Sequence, residues 1–319
     1  IGRYSERAEY ATRILLEVVT LVTDEQDSPD LPALAPLLET LAEFDLIDAS
    51  EIDPVALVSD RPRMVGTLQP VLFGRPDERA AALDSIPASL SRLRALAALS
   101  RDRLSNETWR IIRSLEDLVR GPLPATLSAF RPTLQRAILY QTAFNGTCRE
   151  NLTRSEGWRF LNIGRRLERA LWLVTLVDQL LASYPEIPSS TLDGALSVSD
   201  CTLTYRFRYQ GAPTVLPTFD LLLYDPANPR GLIYQLAELD RDLADLPPAR
   251  DEIMRPAHRT ILRALHHLQT EALPAGDPND QARAIEDLHR FIGALREDLP
   301  AVSEQLGWEF FTHATFTAS

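Results

Sequence analysis

The eight residues IGRYSERA open the chain at Ile1, and IGRRLERA recurs at Ile163. Six of the eight letters agree: Ile, Gly, Arg, Glu, Arg and Ala. A charged phrase written twice, each time at the head of a long apolar-periodic stretch, restricts the fold more than any other feature. On a helix of 3.6 residues per turn, with Arg3 at zero, Arg7 falls at about 40°, close to Ile14 at about 20° and Val18 at about 60°. Glu6 flanks that stripe. Arg169 falls in the same way between Leu176 and Leu180, with Glu168 beside it. An arginine in an apolar stripe is unfavourable unless its charge is paired. A carboxylate on a facing helix can accept its planar fork. The phrase therefore predicts Glu6 meeting Arg169 and Glu168 meeting Arg7 across a pseudo-twofold, with Gly2 and Gly164 allowing close approach. The same residues would also make a polar ligand or catalytic site inside a bundle, so both readings stand.

Helical periodicity runs through most of the chain. From Tyr4, the apolar positions Ala8, Ala11, Leu15, Val18 and Val22 recur at steps of three and four. Leu90 to Leu99 reads as a helix. Another starts at Ser105 and stops at Gly121-Pro122. Further helices are predicted over about Pro132–Glu150, Gly157–Tyr184, Ile233–Leu246, Ile253–Gln269 and Ala282–Leu299. SVSDCTLTYRFRYQG could alternate as a strand, but the spacing of Leu192, Leu196, Leu203 and Phe207 favours one helix ended by Gly211 and Pro213. FDLLLYDPANPRG reads as a short buried segment followed by a turn at Asp225-Pro226 and Asn228-Pro229. Few Gly (13) and many Pro (23) suit helices separated by sharp stops. VLFGRPDERAAAL from Val71 loosely echoes LLLYDPANPRGLI from Leu221. The expected fold is an all-α, internally duplicated multi-helix bundle with pseudo-twofold symmetry. It forms one domain over residues 1–319, in pseudo-repeats of about 1–125 and 126–319. Because the chain begins inside the phrase, residues are expected upstream of Ile1.

Composition excludes several functions. A net charge of -12 argues against nucleic-acid binding through phosphate contacts. All 33 basic residues are Arg, so Schiff-base chemistry and Lys-assisted phosphate binding are closed to this chain. Cys148 and Cys201 are the only cysteines, which is neither a disulfide framework nor a zinc site. No apolar run is long enough to span a membrane, and a cytoplasmic protein with reduced thiols is the expectation. The five His show no HExxH or paired ExxH pattern, so no metal is predicted. There is no GxxxxGK[ST], GxGxxG or GxSxG; if ATP is used, another domain binds it.

GRYSERAEYATR, GWRFLNIGRRLERA, TYRFRY, LLLYDPANPRGL and the tail FFTHATF, in that order, resemble the alpha-E family, a bacterial domain of unknown function. The resemblance runs over essentially the whole chain. It departs in the first half, where RPDER stands in place of the family's DPxNP turn. The family is often fused to, or encoded beside, circularly permuted ATP-grasp-like domains and transglutaminase-like proteases. The resemblance thus implies an accessory or substrate-binding part in an ATP-grasp-type amide-ligase system that makes or trims peptides. ATP and Mg would sit on the associated domain, with no cofactor on this one.

The candidate ligand-binding residues are Arg3, Arg7, Arg165, Arg169, Tyr205, Arg206, Arg208 and His313. Arginine beside aromatics suits a peptide carboxylate or an anionic small molecule, and the resemblance singles out Arg206 and His313. Two alternatives remain: an enzyme using Glu6 or Glu168 as general acid/base, and a purely structural interaction module.

Overall fold

The computed structural model describes residues 1–23, 30–74, 84–247, 254–271 and 278–311. Among these residues the chain is helical, with no strand. Helix starts in the first part are written locally. Asp30, Asp53, Asp60 and Ser85 each accept a hydrogen bond from a first-turn backbone N–H, and each is followed within two residues by Pro. A side-chain cap is worth roughly 1 kcal/mol, and proline at the first helical positions loses no hydrogen bond. Ser105 caps its helix through the Thr108 N–H, as the sequence predicts.

The chain divides into two compact units, residues 1–158 with 188–198, and residues 159–187 with 199–319. The first is built around α1 (Gly2–Thr23). Packed on α1 are α2 (Leu31–Glu43), α5 (Ile86–Leu99), α7 (Arg131–Asn151) and α9 (Ser189–Val198), together with a 3-10 turn at Leu127–Phe130. The short helices α3 (Pro54–Ser59) and α4 (Arg61–Phe73) link α2 to α5, and α6 (Asn106–Val119) lies between α5 and α7. Ile14, Leu15, Val18 and Val19 of α1 are fully buried with Leu34, Leu38, Leu68 and Phe130. Phe73 meets Phe130 edge to face at 5.8 Å.

The second unit contains most of α8 (Glu156–Leu181), with α10 (Thr202–Tyr209), α11 (Val215–Phe219), α12 (Leu232–Ala244), α13 (Pro256–Thr270) and α14 (Pro278–Phe310). α13 packs on α12 and α14. Trp172, Leu173, Val177, Leu236, Ile261 and Ile292 are core residues. Phe160 of α8 stacks edge-on with Phe310 of α14 at 5.0 Å.

Two expectations change. The single helix through Leu192 and Phe207 is two helices, α9 and α10. Asp200 takes a left-handed backbone, φ 57°, which turns the chain between them. Aspartate tolerates that conformation better than most residues, so the apolar spacing continues across a break it does not reveal. The buried segment at Leu221–Leu223 is present, but as one π turn, Asp220–Tyr224, with the Asp225 N–H donating to the Asp220 carbonyl at 3.0 Å. RPDER and the tail residue His313 lie outside the described residues. Among the described residues, no helix is long and apolar enough to cross a membrane.

Candidate ligand-binding site

The repeated phrase buries its glutamates. Glu6 and Glu168 are both 0 % exposed, at equivalent places on α1 and α8. The arginines differ. Arg169 is buried, whereas the Arg7 side chain is 23 % exposed and donates to Asp84 at 3.3 Å. Asp84 also accepts from Arg92 at 3.0 Å, and both guanidiniums lie within 6 Å of the Tyr4 ring, at 5.9 and 5.7 Å. Arg3 is half-buried. Arg7 is thus shallower than its place in the apolar stripe predicts. α1 is packed by neighbours on several sides, so a single stripe does not decide which charges are buried.

A deeply buried ion pair of the first unit comes just after the phrase and is absent from the sequence-based candidates. Arg13 Nε donates to Glu9 Oε1 at 2.9 Å, with Glu9 1 % and Arg13 8 % exposed. Asn145 Nδ2 of α7 donates to Glu9 Oε2 at 2.8 Å, and Gln141 Nε2 of α7 donates to Thr12 Oγ1 at 3.1 Å. Arg–carboxylate bonds of this kind are charge-assisted, and their partners are desolvated together. The sequence signal was the i, i+4 spacing of Glu9 and Arg13.

On α8 the missed residue is Arg166. Its Nη1 donates to Gln235 Oε1 at 2.9 Å, its Nη2 lies 3.6 Å from Glu238, and it sits 5.3 Å above the Tyr234 ring. Its Nε is buried without an acceptor. Burial, then the neighbouring charges of Arg169 and Arg165, lower its pKa to about 10. One turn earlier, Asn162 Nδ2 donates to Asp242 Oδ2 at 2.6 Å. Burial, with help from Glu238, raises the Asp242 carboxyl above the usual aspartate range, against the Asn162 hydrogen bond and the positive charge of Arg166. Arg165 is half-buried beside them. The pair of adjacent arginines in GRRLER was the available sequence signal.

The aromatic-arginine cluster separates by direction. Tyr205 is buried, and its hydroxyl accepts from the Thr214 N–H at 3.1 Å. Arg208 pairs with Asp225 at 2.5 Å and lies 3.6 Å from Asp220, which also takes the Tyr209 hydroxyl. Burial and the Asp220 hydrogen bond push the Tyr209 phenol well above its ordinary range. Arg206 is exposed between Leu203 and Phe207, themselves 81 % and 87 % exposed.

The TYRFRY and DPANPRG segments thus form one corner. Asp225 Oδ1 caps the Ala227 N–H, and Asn228 Nδ2 ties back to the Leu221 carbonyl at 2.8 Å. At Gly231 a Cβ would meet the Asn228, Leu221 and Leu222 carbonyl oxygens, each at 3.3 Å, which explains glycine there.

A chain helical throughout its described residues, with one charged phrase repeated on two long helices and its glutamate buried in each, is the class these features define. The chain belongs to the Alpha-E family, described as a predicted alpha-helical domain with a conserved ER motif, whose model matches residues 1–311. Glu6-Arg7 and Glu168-Arg169 are ER pairs in this chain. An uncharacterized protein of Mycobacterium bovis is 28% identical over 94% of the chain, as are uncharacterized proteins from two strains of Mycobacterium tuberculosis. The chain spans 36% of the length of each of these relatives. No solved structure matches it.

Proposed function

We propose that this chain is an accessory, substrate-binding domain of an ATP-grasp-type amide-ligase system that makes or modifies peptides. The observation that carries the reading is Arg166, a mostly buried guanidinium beside the like charges of Arg165 and Arg169. Positive charge concentrated on a turn and a half of α8, in a chain of net charge -12, suits a peptide carboxylate or another anionic ligand. Arg3, Arg7 and the exposed Arg206 extend the same chemistry in this reading; Tyr205 and Arg208 support the corner that presents Arg206.

The relatives' much greater length accords with a domain that works as part of a larger assembly. The partners are an ATP-grasp ligase domain, in cis or in trans, and a transglutaminase-like protease. ATP and Mg belong to the ligase domain, and the setting is cytoplasmic. An internal duplication, with repeats of about 1–125 and 126–319 and pseudo-twofold symmetry, belongs to the same reading. It is supported by the matched phrase and the equal depth of Glu6 and Glu168.

That depth weighs against the enzyme alternative. A general acid or base must come within hydrogen-bond reach of its substrate, and both carboxylates are sealed from the surface. It favours a positioning role for Glu6 and Glu168, and it is also what a purely structural module would show. ADP release by an ATP-grasp ligase, measured with and without this chain, separates the readings. The expected result is no turnover by the chain alone, stimulation of the ligase, and loss of stimulation in Arg166→Gln at unchanged helical content. Turnover by the isolated chain would overturn the proposal in favour of an enzyme, and absence of any stimulation would leave the structural module.

A further inference from the structure

Leu203, Arg206 and Phe207 stand three and four residues apart and so share one face of α10. All three are exposed, the two apolar side chains by 81 % and 87 %. A lone exposed apolar side chain is ordinary; two on successive turns of one helix face mark a contact surface. The other side of α10 is anchored. Tyr205 is buried there, and Arg208 and Tyr209 engage Asp225 and Asp220. Arg206, unlike Arg208, has no hydrogen-bond or ion-pair partner among the described residues. α10 itself carries no carboxylate. The acidic residue just before it, Asp200, lies 3.4 Å from Arg230. The exposed face thus offers two apolar side chains and one uncommitted guanidinium.

That combination selects the occupant. A helix has no open backbone edge, so an extended strand could not add main-chain hydrogen bonds to α10. A second helix can, by contrast, set its own ridge of residues three and four apart against Leu203 and Phe207. We propose that this face docks an acidic amphipathic helix of a partner protein. The apolar stripe of that helix covers Leu203 and Phe207, and a carboxylate at the edge of the stripe takes the Arg206 fork. A second copy docked through the same face about a twofold axis would bring two Arg206 side chains together, with no carboxylate on either α10. An anionic lipid surface would repel a chain of net charge -12. The assignment gives a source for the carboxylate proposed for Arg206 and does not depend on the ligase.

Isothermal titration calorimetry of the chain with the helical peptide acetyl-QALEQLLSALEQALA-amide tests this, its leucines on one face and its glutamates at the edge of that face. Saturable binding is expected, weaker by about fivefold when both glutamates are replaced by Gln. The peptide with Ala in place of every Leu should not bind. Phe207→Ser should lose binding while its circular dichroism stays that of the parent. Arg206→Glu should reverse the charge preference, binding the peptide with Lys in place of both glutamates more tightly than the original. Lack of saturable binding at millimolar peptide, equal affinity for the Glu and Gln peptides, unchanged binding in Phe207→Ser, or no reversal in Arg206→Glu would each overturn the assignment. So would a dimer in sedimentation that Phe207→Ser dissolves, which would put a second copy on the face. Binding to vesicles of equal parts phosphatidylcholine and phosphatidylserine, lost in Phe207→Ser, would overturn it in favour of a lipid. Arg166→Gln should leave the peptide affinity unaltered, so this surface and the proposed ligase role stand or fall separately.

Discussion

α1 and α8 carry the same phrase, α1 at its start and α8 near its middle, and after it the two part company. After Glu6-Arg7-Ala8, α1 continues with Glu9, Tyr10, Thr12 and Arg13; after Glu168-Arg169-Ala170, α8 continues with Leu171, Trp172, Val174 and Thr175. Each helix buries its shared glutamate completely and an aromatic residue at the same step, Tyr10 or Trp172. Beyond the phrase, α1 builds a buried polar network and α8 an apolar core. α8 places its polar partners before and within the phrase instead, at Asn162 and Arg166 against α12. The shared element is therefore the buried glutamate. The charges around it are fitted to each unit separately, by whichever helix supplies a partner.

That comparison can be broken most forcefully at Arg13. Arg13→Ala removes the Arg13 guanidinium from the buried Glu9 carboxylate and should cost about 3–5 kcal/mol. Thr175→Ala, the matching place on α8, should cost about 1 kcal/mol, as an ordinary small substitution does. Urea midpoints at constant m-value measure both. Equal losses would mean that the network of α1 is not special. Transplanting the α8 residues, Glu9→Leu with Arg13→Thr, should recover most of the single-mutant loss. The remaining cost of about 1 kcal/mol comes from the half-buried Asn145, whose Nδ2 loses its acceptor. A double variant as unstable as Arg13→Ala would show that the ion pair is not where the energy lies.

The second unit has a pH signature instead. The Asp242 carboxyl has a raised pKa in the folded protein, so the fold keeps this proton where the unfolded chain has released it. Stability should accordingly fall as pH rises from the ordinary aspartate range through the raised one, and this contribution should be flat above it. In Asp242→Asn that fall should vanish from denaturation curves taken at stepped pH. A variant with the parent's slope would place the proton elsewhere. The smallest effect is expected at Arg7. Its partly exposed pair with Asp84 should contribute no more than about 1 kcal/mol and weaken with added salt, so Arg7→Ala should move the urea midpoint slightly.

Much of the helical pattern was legible because its causes are local. Ser105 with its cap, the breaks at Gly121-Pro122, and the periodicity of α1, α8 and α12 all depend on neighbours within a turn or two. The turn at Asp225 and Asn228 was legible for the same reason, since Asx side chains cap their own backbone. The break at Asp200 was not, because the apolar spacing runs on through it. Nor was the early run of helices from α2 to α4 apparent from periodicity alone; its Asp-capped, proline-marked starts were the signal.

The sequence by itself determined that the chain is helical, that a charged phrase recurs on two of its long helices, and that arginine is its only strong cation. Only the tertiary structure decided that Arg7 stays near the surface while Arg13 is buried, that Arg166 faces Gln235 and Glu238, and that Arg208 pairs with Asp225. The reason is physical. A helix sets the angle at which a side chain leaves the backbone, through bonds within four residues. Whether a charge at that angle is sealed from water and matched depends on a partner 17, 69 or 136 residues away, as for Arg208–Asp225, Arg166–Gln235 and Glu9–Asn145.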